Sequence, residues 1–377
     1  MLRIIDGIVQ HIELSYVIAP RRTGRAMIRN PLMALLQAVR DHGSISAAAR
    51  ALGLSYRHVW GELRRWETVL GHPLVAGEQG LRAHLSEFGD KLLWAERQAQ
   101  ARLAPQIEAL QAELERAFAL AFDDRTHVLS LQASHDDALA LLRGHAAASA
   151  QLQLDIHFSG SVDAIHALNQ GRCVMAGFHT FERPPAGSLA QRTYQPLLRP
   201  GLHKLVGFAR RTQGLIVAAG NPLGLRTLAD VAARRARYVN RSLGTGTRLL
   251  LDELLGQANL APDAIEGYAR SEPSHAAVAQ AIASGQADAG LGLASTAHAA
   301  GLGFVPLVRE RYHLACLKAA LDQPATQALL TVLRSAAWQH QLSTLSGYES
   351  IASGEVQSLS ALLPWWTFKA RKSAKGG

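Results

Sequence analysis

The sequence predicts an α/β protein of more than one domain: a small helical unit first, then a long helix, then a larger two-lobed domain of alternating strands and helices. Three observations predict it. Short segments with helical apolar spacing, separated by Gly43 and Gly53, open the recognisable part of the chain; a Gly-free stretch follows Gly89; and from about Val128 strand-like runs alternate with Ala/Leu-rich helices. The length of 377 residues is roughly two to three times one compact domain, enough for separate cores. Hydrophobic residues make up 48% and charged residues 18%, which excludes a disordered or low-complexity chain. Lys and Arg number 39 against 30 Asp and Glu, a formal charge of +9, which suits a polyanionic partner where the excess is concentrated.

Taken in order, Pro31 can start a first helix carrying Leu32, Leu35, Leu36 and Val39, and Gly43 ends it. Ser46 can cap a second helix that Gly53 ends, and Ser55 caps a third carrying Val59, Leu63, Trp66 and Leu70. Pro73 to Val75 and Gly80 to Leu85 read as two arms of a hairpin. Ser86 opens a long helix reaching about Phe122, with an apolar stripe of Leu92, Leu93, Leu103, Ile107, Leu110, Leu114 and Phe118 interrupted by Pro105. Strand-like runs follow at Val128 to Leu131, Leu152 to Phe158, Val174 to Phe178, Leu215 to Ala218 and Arg237 to Asn240. Extended segments at Lys204 to Phe208 and Phe304 to Val308 are placed to cross between two lobes. The expected domains are therefore 1–86, a linking helix 87–124, a sensing domain 125–365 and a basic flexible tail 366–377.

The two cysteines, Cys173 and Cys316, lie far apart without Cys/His ligand spacing, so neither a disulfide scaffold nor a zinc site is expected, and a reducing cytoplasm fits. Asp6, His11 and Glu13 interrupt the apolar start before it could serve as a secretion signal. The long uncharged stretch Leu291 to Val308 is rich in Gly and Ala and contains His298 and Pro306, so it reads as a buried strand, helix and strand rather than a membrane span.

Within the first unit, Gly43 to Trp60 has the layout of a helix-turn-helix: Ala47 to Ala49 allow close helix contact and Gly53 permits the sharp turn. Ser44, Ser46, Ser55, Tyr56, Arg57, His58, Arg64 and Arg65 are the candidate DNA contacts, with Arg82 and His84 on the hairpin, or wing. The plain alternative is a helical bundle with a solvated basic face, which any single Arg would fit; helix, Gly turn, basic helix and hairpin in this order favour DNA. Gly43-Ser44-Ile45-Ser46, Ala48-Ala49, Leu54-Ser55-Tyr56 with Trp60, and Leu85-Ser86-Glu87-Phe88-Gly89 resemble the winged-helix domain of molybdate-responsive, ModE-like repressors, which are related to the LysR type. The resemblance implies that the long helix pairs two protomers; the wing is shorter here than in that family.

In the second half, polar clusters follow the expected strands, where α/β sheets place their ligands. They are Ser134-His135-Asp136, Ser159-Gly160-Ser161, His179, Asn240-Arg241, Thr245-Gly246-Thr247-Arg248 after Gly244, and Ser274-His275. Glycines that let backbone N–H groups approach, Thr hydroxyls, a helix amino terminus and the charge of Arg241 or Arg248 together suit an anion. Rival chemistries fit less well. The Gly-Thr-Gly-Thr run lacks the Lys and spacing of a P-loop and is no dinucleotide fingerprint. Ser134, His135 and Asp136 are adjacent in sequence, poor geometry for a hydrolytic triad. His135, His179 and His275 could ligate zinc, but isolated His residues at strand ends are more often hydrogen-bonded structural groups. No catalytic residue, metal site or cofactor is assigned.

From about Val128 to Leu317 the chain is similar to periplasmic-binding-protein-like (type II) α/β domains. The similarity rests on Ser134-His135-Asp136, Ala176-Gly177-Phe178-His179, Gly214-Leu215 with Gly220-Asn221-Pro222, Asn240-Arg241 with Gly244 to Arg248, Ser274 to Ala279, and Ala287 to Gly292. It implies two lobes closing over a small ligand; relatives are associated with molybdate, tungstate or molybdoenzyme expression. The small β-barrel molybdate-binding modules of the repressors are absent. The combined expectation is a cytoplasmic, one-component transcriptional regulator, a homodimer or higher oligomer with no membrane partner. A winged helix-turn-helix with a long dimerisation helix reads a palindromic double-stranded DNA operator, and a PBP-like domain senses molybdate or tungstate. A small organic anion such as formate is the second choice of effector, and an enzyme of molybdenum-cofactor metabolism is the different-class alternative.

Overall fold

The computed structural model describes residues 30–77, 83–122 and 126–366. The chain divides into one unit ending at Ser86 and another beginning at Glu87. Arg82 and the tail from residue 367 lie outside the described residues.

In the first unit α1 (Pro31–His42) is capped by Asn30, whose side chain accepts from the Leu32 N–H, and ends at Gly43 in the left-handed region with φ 66°. Helix α2 (Ile45–Leu52) begins two residues earlier than the sequence suggests. Ser44, not Ser46, is its cap, because the extended backbone at Ser44 lets its hydroxyl accept from Ala47 N, while Ser46 is an exposed residue of the first turn. Helix α3 (Tyr56–Leu70) is capped by Ser55 as expected. Ala48 and Ala49 are buried where α1 meets α2, and Val59 and Leu63 carry α3 onto the same core. The arms β1 (Val75–Ala76) and β2 (His84–Leu85) pair antiparallel. Glu67 of α3 fastens them by accepting from Leu74 N at 2.8 Å and Val75 N at 3.3 Å.

The second unit opens with α4 (Glu87–Phe122), a helix that continues through Pro105. Its first lobe holds β3 (His127–Ala133), α5 (Asp137–Ala150), β4 (Leu152–Phe158), α6 (Ser161–Asn169), β5 (Met175–Phe181) and α7 (Leu189–Tyr194). Strand β6 (His203–Val217) crosses to a second lobe of α8 (Leu228–Ala233), β7 (Tyr238–Arg241), α9 (Gly246–Gln257), β8 (Ser271–Glu272), α10 (His275–Ala283), β9 (Ala289–Leu293) and α11 (Ala294–Ala299). Strand β10 (Gly303–Leu317) crosses back, followed by α12 (Pro324–Arg334), α13 (Ala336–Ser343), β11 (Tyr348–Glu349), β12 (Val356–Ser358) and α14 (Leu359–Leu362).

One curled sheet runs β4-β3-β5-β10-β6-β9-β7-β8, with β11 and β12 paired to β6. Each lobe is locally parallel, β4/β3/β5 on one side and β9/β7/β8 on the other. The two 15-residue strands β6 and β10, mutually antiparallel, join them, with register shifts at Pro306/Val308 and Tyr312/His313. The uncharged stretch from Leu291 resolves into β9, α11 and the start of β10, and no described helix is long and apolar enough to cross a membrane. Strands β5 and β9 are buried throughout, as strands covered on both faces must be.

Leu129, Leu131, Leu314, Phe208 and Trp338 center the first lobe's core, while Leu215, Val217, Val231, Leu251 and Leu291 belong to that of the second. Phe208, fully buried and stacked on Trp338 at 6.0 Å between ring centroids, fixes the first-lobe end of β6. Phe208→Ala should lower unfolding free energy by about 3–5 kcal/mol, the usual cost of a buried aromatic truncation. Denaturant titration checks it, and a change under about 1 kcal/mol would mean that the site is loosely packed.

Candidate functional site

The site forms where the lobes face each other, at helix amino termini that the sequence puts directly after strands. Helix α6 starts at Ser161 after β4, α9 at Gly246 after β7 and α10 at His275 after β8. Gly160 and Gly246 explain the close approach. A Cβ on Gly160 would lie 2.7 Å from the Gly244 carbonyl oxygen of the opposite lobe, and one on Gly246 would lie 3.0 Å from His179 Nδ1 and 3.2 Å from Ser161 Oγ. Helix α6 and helix α9 thus aim their positive ends at a shared space. A small pocket beside it is lined by His179, Thr180, Gly246, Leu249 and Glu310.

Cations collect in this space. Arg241, at the end of β7, is buried to 2% exposure, and its Nε and Nη1 have no hydrogen-bond partner. Burial, reinforced by Arg211, pushes its guanidinium down to about 9, with Asp136 opposing. Both ring nitrogens of His179 and Nδ1 of His275 are likewise unpartnered. Burial first, and then the Arg charges, hold both imidazoles well below the usual histidine range, so they are neutral at pH 7. Ser134 and Ser161 hydroxyls lie 3.5 Å apart, and Thr247 Oγ1 lies 3.5 Å from His275 Nε2. A buried guanidinium with two unpartnered nitrogens beside neutral imidazoles, hydroxyls and helix amino termini is a site rich in unused donors.

Beneath this set lies a buried ionic network on the crossing strands. Arg211 of β6 pairs with Asp136 and with Glu310 of β10. Tyr348 donates to Asp136 at 2.8 Å and Gln213 donates to Glu310 at 2.9 Å. Burial raises the Glu310 carboxyl, while Arg211 draws it down.

The structure brings Ser134, Ser161, His179, Arg241, Gly246, Thr247 and His275 together, and gives other sequence-predicted residues internal duties. Asp136 caps α5 and holds Arg211. Asn240 Oδ1 accepts from Arg241 N, and its Nδ2 donates to Tyr268 O at 3.3 Å. Thr245 caps α9. Ser159 is a half-buried neighbour of Gly160 whose hydroxyl faces the Gly160 carbonyl. Arg248 lies 4.0 Å above the Tyr268 ring and 3.4 Å from Asp252, so a carboxylate already answers its charge. Ser274 caps α10, and His135 faces Glu108 at 3.1 Å. Sequence reasoning missed Arg211, Gln213, Glu310 and Tyr348. The signal was available: Arg211 and Glu310 are ionisable residues inside long extended segments, where a buried charge demands a partner.

On the first unit, Tyr56, Arg57 and His58 stand exposed on the first turn of α3. Arg64 pairs with Glu67 at 3.0 Å and Arg65 with Glu62 at 2.7 Å, each guanidinium also lying over a Trp ring, Trp60 and Trp66. Ser44 is half-buried as the α2 cap, and His84 is exposed on β2. Arg57, outside those intrahelical pairs, is thus the best placed guanidinium on α3.

Residues 143–334 match the PBP superfamily domain, and residues 32–90 match the bacterial regulatory helix-turn-helix protein, lysR family. An uncharacterized protein of Bacillus subtilis, YvgK, is 32% identical over 199 residues, 53% of this chain, and the matched part spans 64% of the relative's length. The molybdenum-pterin-binding protein MopB of Rhodobacter capsulatus is 36% identical over 97 residues, 25% of this chain and 36% of MopB. Among solved structures, OxyR of Corynebacterium glutamicum aligns with a TM-score of 0.41 at 15% identity, covering 85% of this chain and 97% of that one. The matched helix-turn-helix family is one of regulators, not enzymes.

Removing Arg211 would strand two buried carboxylates. Arg211→Leu should cost about 3–5 kcal/mol at pH 7, and the deficit should shrink on acidification as the Glu310 carboxyl, raised by burial, takes up a proton. Thermal melts at two pH values test both parts; a deficit that grows on acidification would rule out the network.

Proposed function

The chain belongs to the PBP superfamily and carries a lysR-family helix-turn-helix, the makeup of a one-component LysR-type regulator, and from that premise we propose that it is a transcriptional regulator that reads duplex operator DNA and responds to a small oxyanion, molybdate or tungstate. One observation carries the ligand reading: the buried, unpartnered guanidinium of Arg241 facing opposed helix amino termini. Without an anion the closed lobes bring positive helix ends and Arg241 together at an electrostatic cost; a dianion reverses its sign. Ser134, Ser161, Thr247 and the backbone N–H groups at Gly246 supply the several donors that a strongly hydrated oxyanion needs in place of water. His179 and His275, neutral when the site is empty, can each take up a proton beside an arriving dianion. The name of the MopB relative supports molybdenum chemistry as the first place to look.

In this reading α3 enters the major groove of a palindromic operator with Arg57 foremost, and two protomers pair so that their recognition helices match the half-sites. Leu103, Leu110 and Phe118, which stay exposed along α4, supply an apolar face for that pairing. Such a regulator works in the cytoplasm, where the DNA is.

Calorimetry with tungstate on the full-length protein is the direct test, with sulfate and formate beside it; silence with both molybdate and tungstate would reject the oxyanion, and heat from formate alone would reassign the site to a monocarboxylate. Arg241→Met should abolish tungstate binding while raising the melting temperature of the ligand-free protein, because an uncompensated buried charge is exchanged for an apolar chain of similar size. Unchanged binding would remove Arg241 from the site.

The pH dependence has a definite sign. The imidazoles have folded-state values below the unfolded one, and a dianion raises them, so binding takes up protons. Affinity should increase as pH falls from about 8 to 6.5, by at most about tenfold per pH unit for each proton taken up. Weakening over that range would contradict the imidazole role.

For the DNA half, Arg57→Ala should weaken specific operator binding by about 1–3 kcal/mol if the side chain reaches a base edge. Gel shifts at fixed salt measure it, and equal affinity for the operator would leave Arg57 a solvated residue.

A further inference from the structure

Helix α4 makes contacts that a helix serving only to link or to pair would not need. It lies along both lobes, packing on β4 and on α10. At its earlier end, Arg102 makes a two-pronged pair with Glu272 of the second lobe at 2.9 and 2.7 Å. Glu272 is buried to 2% exposure. Gln98 Nε2 reaches Gln286 Oε1 at 3.2 Å. Farther along, Glu108 faces His135 at 3.1 Å, Arg143 donates to the Glu108 carbonyl at 2.9 Å, and Arg116 stands 3.3 Å from Asp155, all on the first lobe.

Pro105 lies between the two groups of contacts and gives the second-lobe contact its chemistry. A proline inside a helix has no N–H to offer the carbonyl four residues back. That carbonyl is Ala101's, and the hydroxyl of fully buried Ser274 donates to it at 2.9 Å. The same hydroxyl accepts from Ala277 N and so caps α10, whose first residue is His275 of the anion cluster. On the other lobe the carboxylate of Glu108, itself buried, fixes the His135 ring next to Ser134. Both lobes thus hold residues next to the site, Ser274 beside His275 and His135 beside Ser134, partly through α4.

We infer that α4 clasps the two lobes together and positions the effector site, with Arg102 and the Ala101 carbonyl holding the Ser274-His275 side and Glu108 holding His135 on the other. This inference rests on the anion reading for its ligand, but the clasp itself is a statement about lobe closure and has its own measurement. None of the clasping residues needs to touch the anion; they are positioning residues, and they make closure around the ligand and docking of α4 one event.

The test uses full-length protein with spin labels on Ser149→Cys, exposed at the end of α5, and Gln257→Cys, exposed at the end of α9. The native Cys173 and Cys316 are buried and stay unlabelled. Without any anion, Arg102→Ala should broaden and lengthen the interlobe distance distribution relative to the parent; an identical distribution overturns the clasp whatever becomes of the anion reading. With tungstate, Arg102→Ala and Glu108→Gln should each weaken binding about tenfold, which corresponds to about 1.4 kcal/mol, and Arg241→Met should abolish it. Loss in Arg241→Met with wild-type affinity in both α4 variants overturns the clasp and leaves the anion site standing. If wild-type protein ignores molybdate and tungstate, the anion reading fails and the label distances alone decide the clasp.

Discussion

The constraint on which the rest depends is the burial of Arg241 without a counter-ion. A folded protein rarely keeps an uncompensated guanidinium away from water, because the charge loses its hydration and gains nothing in return. Here the neighbouring Arg211 pairs with both Asp136 and Glu310, so neither carboxylate makes an ion pair with Arg241, although the Asp136 charge still favours its protonated form. Arg211 is thus shared between two carboxylates, while Nε and Nη1 of Arg241 are left with no hydrogen-bond partner. In the proposed reading a bound anion supplies that partner and returns stability to the folded state by mass action.

Closure follows from the same electrostatics. The helix ends at Ser161 and Gly246 approach each other so tightly that Gly160 can carry no side chain. Two partial positive charges at that distance repel unless something negative lies between them. A ligand can shift the lobes only by binding one arrangement better than the other, and here the closed arrangement is the one that puts donors on both sides of it. The neutral state of His179 and His275 reduces the repulsion there, and in the proposed reading their capacity to charge would add attraction to a bound dianion.

Much of this was legible in the sequence because local chemistry decided it. Gly43 and Gly53 end helices in the left-handed region, Ser55 caps α3, and helices α6, α9 and α10 begin shortly after β4, β7 and β8. The α2 start was displaced because Ser44 and Ser46 are both good caps, and only the extended backbone at Ser44 chooses between them. Arg241 and Arg248 were equivalent in the sequence. They separate in the fold because Arg248 has Asp252 one helical turn later and Tyr268 under its guanidinium, whereas Arg241 ends a buried strand. The Arg211–Asp136–Glu310 network joins positions 75 and 99 residues apart, a separation that no local pattern reports. Pro105 looked like an interruption of the apolar stripe; its consequence, a free carbonyl at Ala101 taken by Ser274, depends on a contact across 173 residues.

The two faces of α4 then carry different information. One face bears Arg102 and Glu108 and is committed to the lobes, while Leu103, Leu110 and Phe118 remain exposed. Pro105, between the two groups of anchors, is where α4 can bend, so rotation of one lobe relative to the other would be absorbed as bending there, as a shift along or a rotation about the helix axis, or as release of one anchor. Each of those outcomes moves the exposed stripe. In a dimer paired along that stripe, lobe closure would reset how the two protomers meet, and α4 continues in sequence from Ser86, the last residue of the DNA-reading unit. The coupling needs no separate relay of side chains: in the proposed dimer a single element would share its anchors with the ligand site and its free face with the partner protomer.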